Sequence, residues 1–233
     1  VFGLRIGKPI QVPSEIGGVR VRASMRARRM ALRVDIKSGD IVLTWPRGAS
    51  ESMALRFIEE NSRWIETRRR RLPPPQYFVP GKQISIYGEA CLIAHREGRG
   101  ITRIEEKNLI VHGRPEHLSR RVRDFLKKTA MMILEDKAAQ KLEQIGRGPA
   151  DIRVIDPKTR WGSCSHDGAL MFSWRLILAP PSVLDYVVAH EVAHCLHMNH
   201  GKKFWALCAS LTENAAVARR WLRTHGGTMM AYR

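Results

Sequence analysis

The stretch His190-Glu191-Val192-Ala193-His194, with His200 six residues further on, constrains this chain more than any other feature. On a helix, the two histidines project from adjacent turns of one face, separated by about 6 Å of rise. That spacing lets both imidazoles converge on one metal ion, while the intervening glutamate sits beside the ion rather than on it. The pattern matches two His ligands for Zn2+ with a Glu acting as general base toward water. Its setting favours a helix. Ala179-Pro180-Pro181-Ser182 is a helix start, with Pro near the first turn and Asp185 close to the positive end of the dipole. Leu184, Val188, Val192 and Cys195/Leu196 recur at helical spacing as one apolar stripe. His190 and His194 fall away from that stripe and Glu191 lies at its border, so the helix is expected to bury its back and turn the histidines toward a cleft.

A catalytic zinc takes three protein ligands and leaves one position for water. His200 is the favoured third ligand. Asn199 and Gly201 tolerate a left-handed helix exit and would let the chain turn back toward the metal. Two rivals stay open. His197 shares the face of His190, but seven residues of straight helix separate the two by roughly 10 Å. Glu213 lies nineteen residues after His194, yet Thr212-Glu213 also reads as the N-cap and first turn of a final helix.

Along the rest of the chain, residues 20–34 and 41–45 read as strands around a turn at Lys37-Ser38-Gly39-Asp40. A helix is expected over 51–70, with Phe57/Trp64 and Ile58/Ile65 on its apolar face, stopped by Leu72-Pro73-Pro74-Pro75. Residues 84–95, 101–104 and 109–112 suggest a short meander. A long amphipathic helix over 118–145 follows, ended by Gly146-Arg147-Gly148-Pro149. Residues 152–155 and 169–178 read as strands flanking the Trp161-Gly162-Ser163 turn, and two shorter helices ending at Gly226-Gly227 follow the metal helix. No internal repeat is visible. The expected class is α+β: a β-rich module with one helix over 1–115, then an α+β metal-binding domain over 116–233.

With 233 residues, the chain is long enough to bury a substantial core. It contains no run of 18 apolar residues, which excludes a membrane-spanning helix. The first thirty residues lack a signal-peptide core, and the four cysteines (Cys91, Cys164, Cys195, Cys208) show no CxxC spacing, so reduced thiols in a cytoplasmic protein are expected. The net charge of +18 would draw polyanions such as nucleic acid or nucleotides to the surface. Arg20, Arg22, Arg26, Arg28, Arg29 and Arg33 form one cluster, residues 68–71 a second, and Arg120, Arg121 and Arg123 a third; a merely basic surface accounts for them as well.

Further motifs accompany the histidines. Lys158-Thr159-Arg160-Trp161-Gly162-Ser163-Cys164-Ser165 stands before Trp174-Arg175-Leu176 and Ala179-Pro180-Pro181, and Asn199-His200-Gly201-Lys202-Lys203-Phe204-Trp205 follows. Together they resemble the YgjP-like metallopeptidases, relatives of the SprT and Wss1 proteases. The likeness extends to Arg26–Val34, Pro46-Arg47-Gly48-Ala49-Ser50 and Trp64-Ile65. The resemblance implies a minimal zincin fold, with zinc held by His190, His194 and His200 and with Glu191 as catalytic acid/base. It leaves the biological substrate undefined.

The expected chemistry is peptide hydrolysis: water loses its proton to Glu191 as it attacks a carbonyl, and Glu191 returns that proton to the leaving amine. Arg175 is a candidate donor to the oxyanion, although a salt bridge is the favoured role. Trp161 and Ser163 are further candidate contacts. Trp161, Trp174, Phe204 and Trp205 are more readily core residues, and Ser163 lacks a Gly-x-Ser-x-Gly elbow and suits a turn or cap. The strand over 169–178 offers an edge for an extended peptide. Two other classes compete with the peptidase. A metal-dependent nucleoside triphosphate hydrolase would suit the arginines but lacks a Gly-rich phosphate loop. A nucleic-acid-binding module with structural zinc would need a fourth ligand.

Overall fold

Ile16-Gly17-Gly18-Val19 and Ile86-Tyr87-Gly88-Glu89 each close a hairpin through a two-residue turn whose central residues both have positive φ. This geometry matches the right-handed twist of the flanking strands and explains glycine at the second turn position. The computed structural model describes residues 13–35, 40–71, 73–157 and 159–233. The turn expected at Lys37-Ser38-Gly39, Leu72 of the proline-rich stop and Lys158 lie outside the described residues.

The chain divides into two units, residues 1–73 and 74–233. In the first, strands β1 (Glu15–Ile16), β2 (Val19–Ser24), β3 (Ala31–Val34) and β4 (Ile41–Pro46) form one sheet in the order β1-β2-β4-β3, with β2 and β4 parallel. Helices α1 (Glu51–Glu60) and α2 (Ser62–Arg71) follow. Ser50 caps α1 by accepting from the Met53 amide. The single helix expected over 51–70 is interrupted at Asn61, whose side-chain amide donates to the Phe57 carbonyl and competes with the backbone ladder. Ile16, Val19, Ile41, Leu43, Trp45, Ala54, Ile58 and Ile65 form this unit's own core.

The second unit opens with β5 (Gln83–Ile86), β6 (Glu89–Arg96), β7 (Arg103–Glu105) and β8 (Asn108–His112), in the order β5-β6-β8-β7. β6 and β8 run parallel, so the expected meander is instead a sheet with a crossover. The strand order, hairpin and parallel central pair of the first sheet therefore recur, a repeat in topology that residue identities do not reveal. Helix α3 (Leu118–Gln144) buries Leu118, Val122, Leu126, Ala130, Leu134, Ala138 and Leu142, a stripe at every fourth residue. It ends at Gly146, where φ is +68° and the Arg147 amide returns to the Leu142 carbonyl.

A three-stranded sheet then follows from β9 (Ile152–Ile155), β10 (Gly162–Cys164) and β11 (Leu170–Ser173), with β11 in the centre. Residues Trp174–Leu178, expected to continue the strand, form a 3-10 turn capped by Ser173, whose hydroxyl accepts from the Arg175 amide. Helices α4 (Pro181–His194), α5 (Lys202–Leu211) and α6 (Ala215–Met230) close the unit. α6 runs past Gly226-Gly227 because Trp161 packs against Gly226, where an added Cβ would lie 3.1 Å from the indole.

The unit break lies at Pro73/Pro74, not at the boundary expected near residue 115. Burial explains the difference. Ile84, Ile86, Cys91, Ile93, Leu109 and Val111 share one hydrophobic cluster with α3, α4 and α5. The β5–β6 hairpin tip also reaches the metal helix: the Tyr87 amide donates to the Ile177 carbonyl, and Gly88 touches Pro181 at the start of α4.

Candidate metal centre

Pro181 occupies the first turn of α4, where a missing amide hydrogen costs nothing and the fixed φ favours entry into the helix. Leu184, Val188 and Val192 are fully buried along one side, as the stripe predicts, and anchor the helix. His190 and His194 then emerge one turn apart, with ring centroids 5.0 Å from each other. After the helix ends, His200 returns to them, 5.0 Å from His190 and 4.7 Å from His194. This return uses no left-handed residue: neither Asn199 nor Gly201 has positive φ, and Gly201 is extended as the N-cap of α5. Phe204, fully buried on α5, packs against all three imidazoles at 4.5–4.9 Å and forms the floor of the cluster.

One ligand atom from each histidine lies within 4.8 Å of the other two. The Nε2 atoms of His190 and His200 face each other at 3.1 Å, near the separation of roughly 3.4 Å for two nitrogens on a tetrahedral zinc. His194 Nδ1 meets the His197 carbonyl at 3.1 Å, which fixes the proton there and leaves Nε2 with a lone pair. His190 is pushed down to about 4 by burial and then by its histidine neighbours and Arg219, so it is neutral at physiological pH. Burial also lowers His194. Three converging imidazoles are a donor set suited to zinc.

Glu191 is 6% exposed, and burial pushes its carboxyl up to about 7 against the opposing effects of Arg160 and the Cys164 amide. Gly162 packs against Glu191. A Cβ at that position would lie 2.6 Å from Glu191 Cγ, 2.7 Å from Oε1 and 2.9 Å from Cδ, so only glycine leaves room for the carboxylate. The sequence reading placed Gly162 in a turn and missed this contact, which spans 29 residues. Glu191 and His190 line one cleft of about 410 Å3 with Trp161, Gly162, Tyr186, Leu222, Arg160, Arg219 and Arg223.

The other candidates separate clearly. Trp161 lines the cleft. Ser163 is in β10, opposite Met171, with a buried hydroxyl that has no partner among the described residues. Arg175 is 2% exposed; its guanidinium bonds the Asp156 carboxylate and the Tyr232 carbonyl and stacks on Trp174. That placement corrects its role as an oxyanion donor: it is held inside the fold because the segment carrying it turns into a 3-10 helix. His197 contributes a carbonyl, not a ring, to the cluster. Glu213 lies away from the cluster beside a different concavity, and α6 is capped at Asn214, not at Thr212.

In this sheet β11 is paired on both sides, so β10 and β9 are the outer strands. Trp161 and Ser165 bond across to β11, so by antiparallel alternation the amides and carbonyls of Gly162 and Cys164 point the other way. The Cys164 amide meets Glu191 there. Cys164 and Cys195 lie with sulfurs 3.8 Å apart as free thiols, and burial first, then Cys195, pushes Cys164 up to about 12.

The profile of the YgjP-like metallopeptidase domain matches residues 28–225. The chain belongs to the YgjP-like family. That span covers the β-rich region as well as the histidine cluster, and it identifies the domain as that of a metallopeptidase. Neither a curated protein nor a solved structure matches this YgjP-like chain. Among the described residues, no helix is long and apolar enough to cross a membrane.

Proposed function

We propose that this YgjP-like chain is a zinc-dependent peptidase in which His190, His194 and His200 hold the metal and Glu191 moves the proton. The observation that carries this reading is the convergence of three imidazoles, one of which, His190, shares a cleft with the buried carboxyl of Glu191. Held there, zinc would supply a Lewis acid that acidifies water and polarises the scissile carbonyl. A carboxyl near 7 is poised to accept a proton from the attacking water and return it to the departing amine. Gly162 and the Cys164 amide hold Glu191 in place for both transfers. β10 is an outer strand of its sheet, and an extended peptide would pair with its outward backbone groups other than the Cys164 amide, which Glu191 occupies.

Exposed Arg22, Arg26, Arg28, Arg29 and Arg33 in the first unit would hold a polyanion such as nucleic acid, and we place the protein in the cytoplasm, where its four free thiols stay reduced. A nucleoside triphosphatase is favoured only by the guanidinium groups around the cleft. Three imidazoles with a single carboxylate suit a magnesium nucleotide poorly.

Glu191→Ala tests the reading. Zinc content should be retained while peptide cleavage falls by about 10²–10⁴-fold. A chelator should abolish the wild-type activity. Cleavage by Glu191→Ala at the wild-type rate would remove Glu191 from the mechanism.

A further inference from the structure

The arginines at the cleft differ from those that are held in ion pairs elsewhere in the chain. Arg96, Arg103, Arg120, Arg153 and Arg175 each meet a carboxylate. Arg160, Arg219 and Arg223 form no ion pair among the described residues, yet all three line the cavity that holds Glu191 and His190. Arg219 and Arg223 are four residues apart on α6 and therefore share one face. The Arg219 guanidinium lies 4.9 Å over the Trp205 ring, which itself packs 5.9 Å from His190 and 5.6 Å from His200. Arg160 immediately precedes Trp161, whose ring is seated against α6 at Gly226. Two separate segments thus bring fixed positive charge to the same opening.

The remaining lining of the cleft is apolar or aromatic: Trp161, Tyr186, Val187 and Leu222. Such a surface accepts the body of a side chain, while guanidinium groups at its rim accept a carboxylate, often in bidentate fashion.

We propose that Arg160, Arg219 and Arg223 form a subsite for an acidic side chain, so that the enzyme selects peptides carrying Asp or Glu close to the cleaved bond. This inference rests on the peptidase reading of the same site. It favours an acidic peptide over a nucleotide because the family is that of a metallopeptidase and the walls formed by Trp161, Tyr186, Val187 and Leu222 suit the body of an amino-acid side chain.

The test uses the zinc-loaded full chain and peptides identical except for Asp, Glu, Ala or Lys at one position on either side of the cleaved bond. The acidic peptides should show kcat/KM about tenfold above the alanine peptide, with the gap shrinking as salt rises. The Arg219→Glu/Arg223→Glu double variant should invert the order in favour of lysine, an outcome that loss of folding does not produce. Equal cleavage of acidic and alanine peptides would overturn the subsite while leaving the peptidase intact. An unchanged order in a folded double variant would do the same. If no peptide is cleaved, anisotropy of the labelled peptides on Glu191→Ala decides the subsite separately. Tighter binding of the acidic peptide then supports it, whereas equal binding, or displacement by a nucleoside triphosphate at lower concentration than by acidic peptide, overturns it.

Discussion

Gly162→Ala is the sharpest perturbation available, because one methyl group meets the one side chain proposed to move the proton. Its three nearest atoms would all belong to Glu191, the closest at 2.6 Å. Carbon atoms in contact prefer about 3.5–4.0 Å, so the glutamate must retreat by roughly 1 Å. Glu191 has little room to do so, being 6% exposed and held by the Cys164 amide. The overpacking should cost about 1–3 kcal/mol of stability. A displacement of about 1 Å at the proton-transferring group should lower kcat/KM by on the order of 10²-fold. Zinc binding should survive, because none of the three closest contacts is to a histidine. The backbone is not the cause, since Gly162 does not have positive φ and accepts any residue conformationally. Peptide cleavage, zinc stoichiometry and a thermal melt on the same preparation measure all three effects. A folded, zinc-loaded variant that cleaves within twofold of wild type would refute the argument that Gly162 fixes the carboxylate.

The metal-free protein should lose stability as pH rises. Burial raises the folded pKa of Glu191 to about 7 from its ordinary 4.5, so its contribution is complete below about 4.5 and falls away by about 7. The change amounts to about 3 kcal/mol, and urea denaturation of Glu191→Gln should show a flatter profile over that interval. Arg175→Met should destabilise the fold by about 3 kcal/mol through loss of its ion pair with Asp156, while cleavage per folded molecule persists, because the guanidinium is directed at Tyr232 and Asp156 and not at the cleft. A selective loss of turnover in a stable Arg175→Met variant would return this arginine to the mechanism.

The histidine cluster was legible in the sequence because its geometry is local. A one-turn spacing and a six-residue return determine which rings can meet. The partners of Glu191 were not legible, because Gly162 and Cys164 approach it through a sheet edge whose position depends on the order β10-β11-β9. Arg175 reads equally well as a strand end or as part of a turn, and only the 3-10 geometry after Ser173 commits it to the interior. The long helix α3 was clear from its fourfold stripe, whereas the parallel pairing of β6 with β8 has no signature in alternation alone.

The recurrence of one four-strand pattern has a consequence for how the chain tolerates change. Both copies begin with a tight hairpin; the second presses its tip on Pro181 and shares a hydrophobic cluster with α4. A cavity cut at Ile86 or Ile93 therefore propagates into the ground on which the histidines stand. The equivalent wound at Ile16 or Leu43 is confined to a separate interior. Damage to the leading copy's core should thus lower that unit's own stability, whereas damage to its twin should also loosen α4.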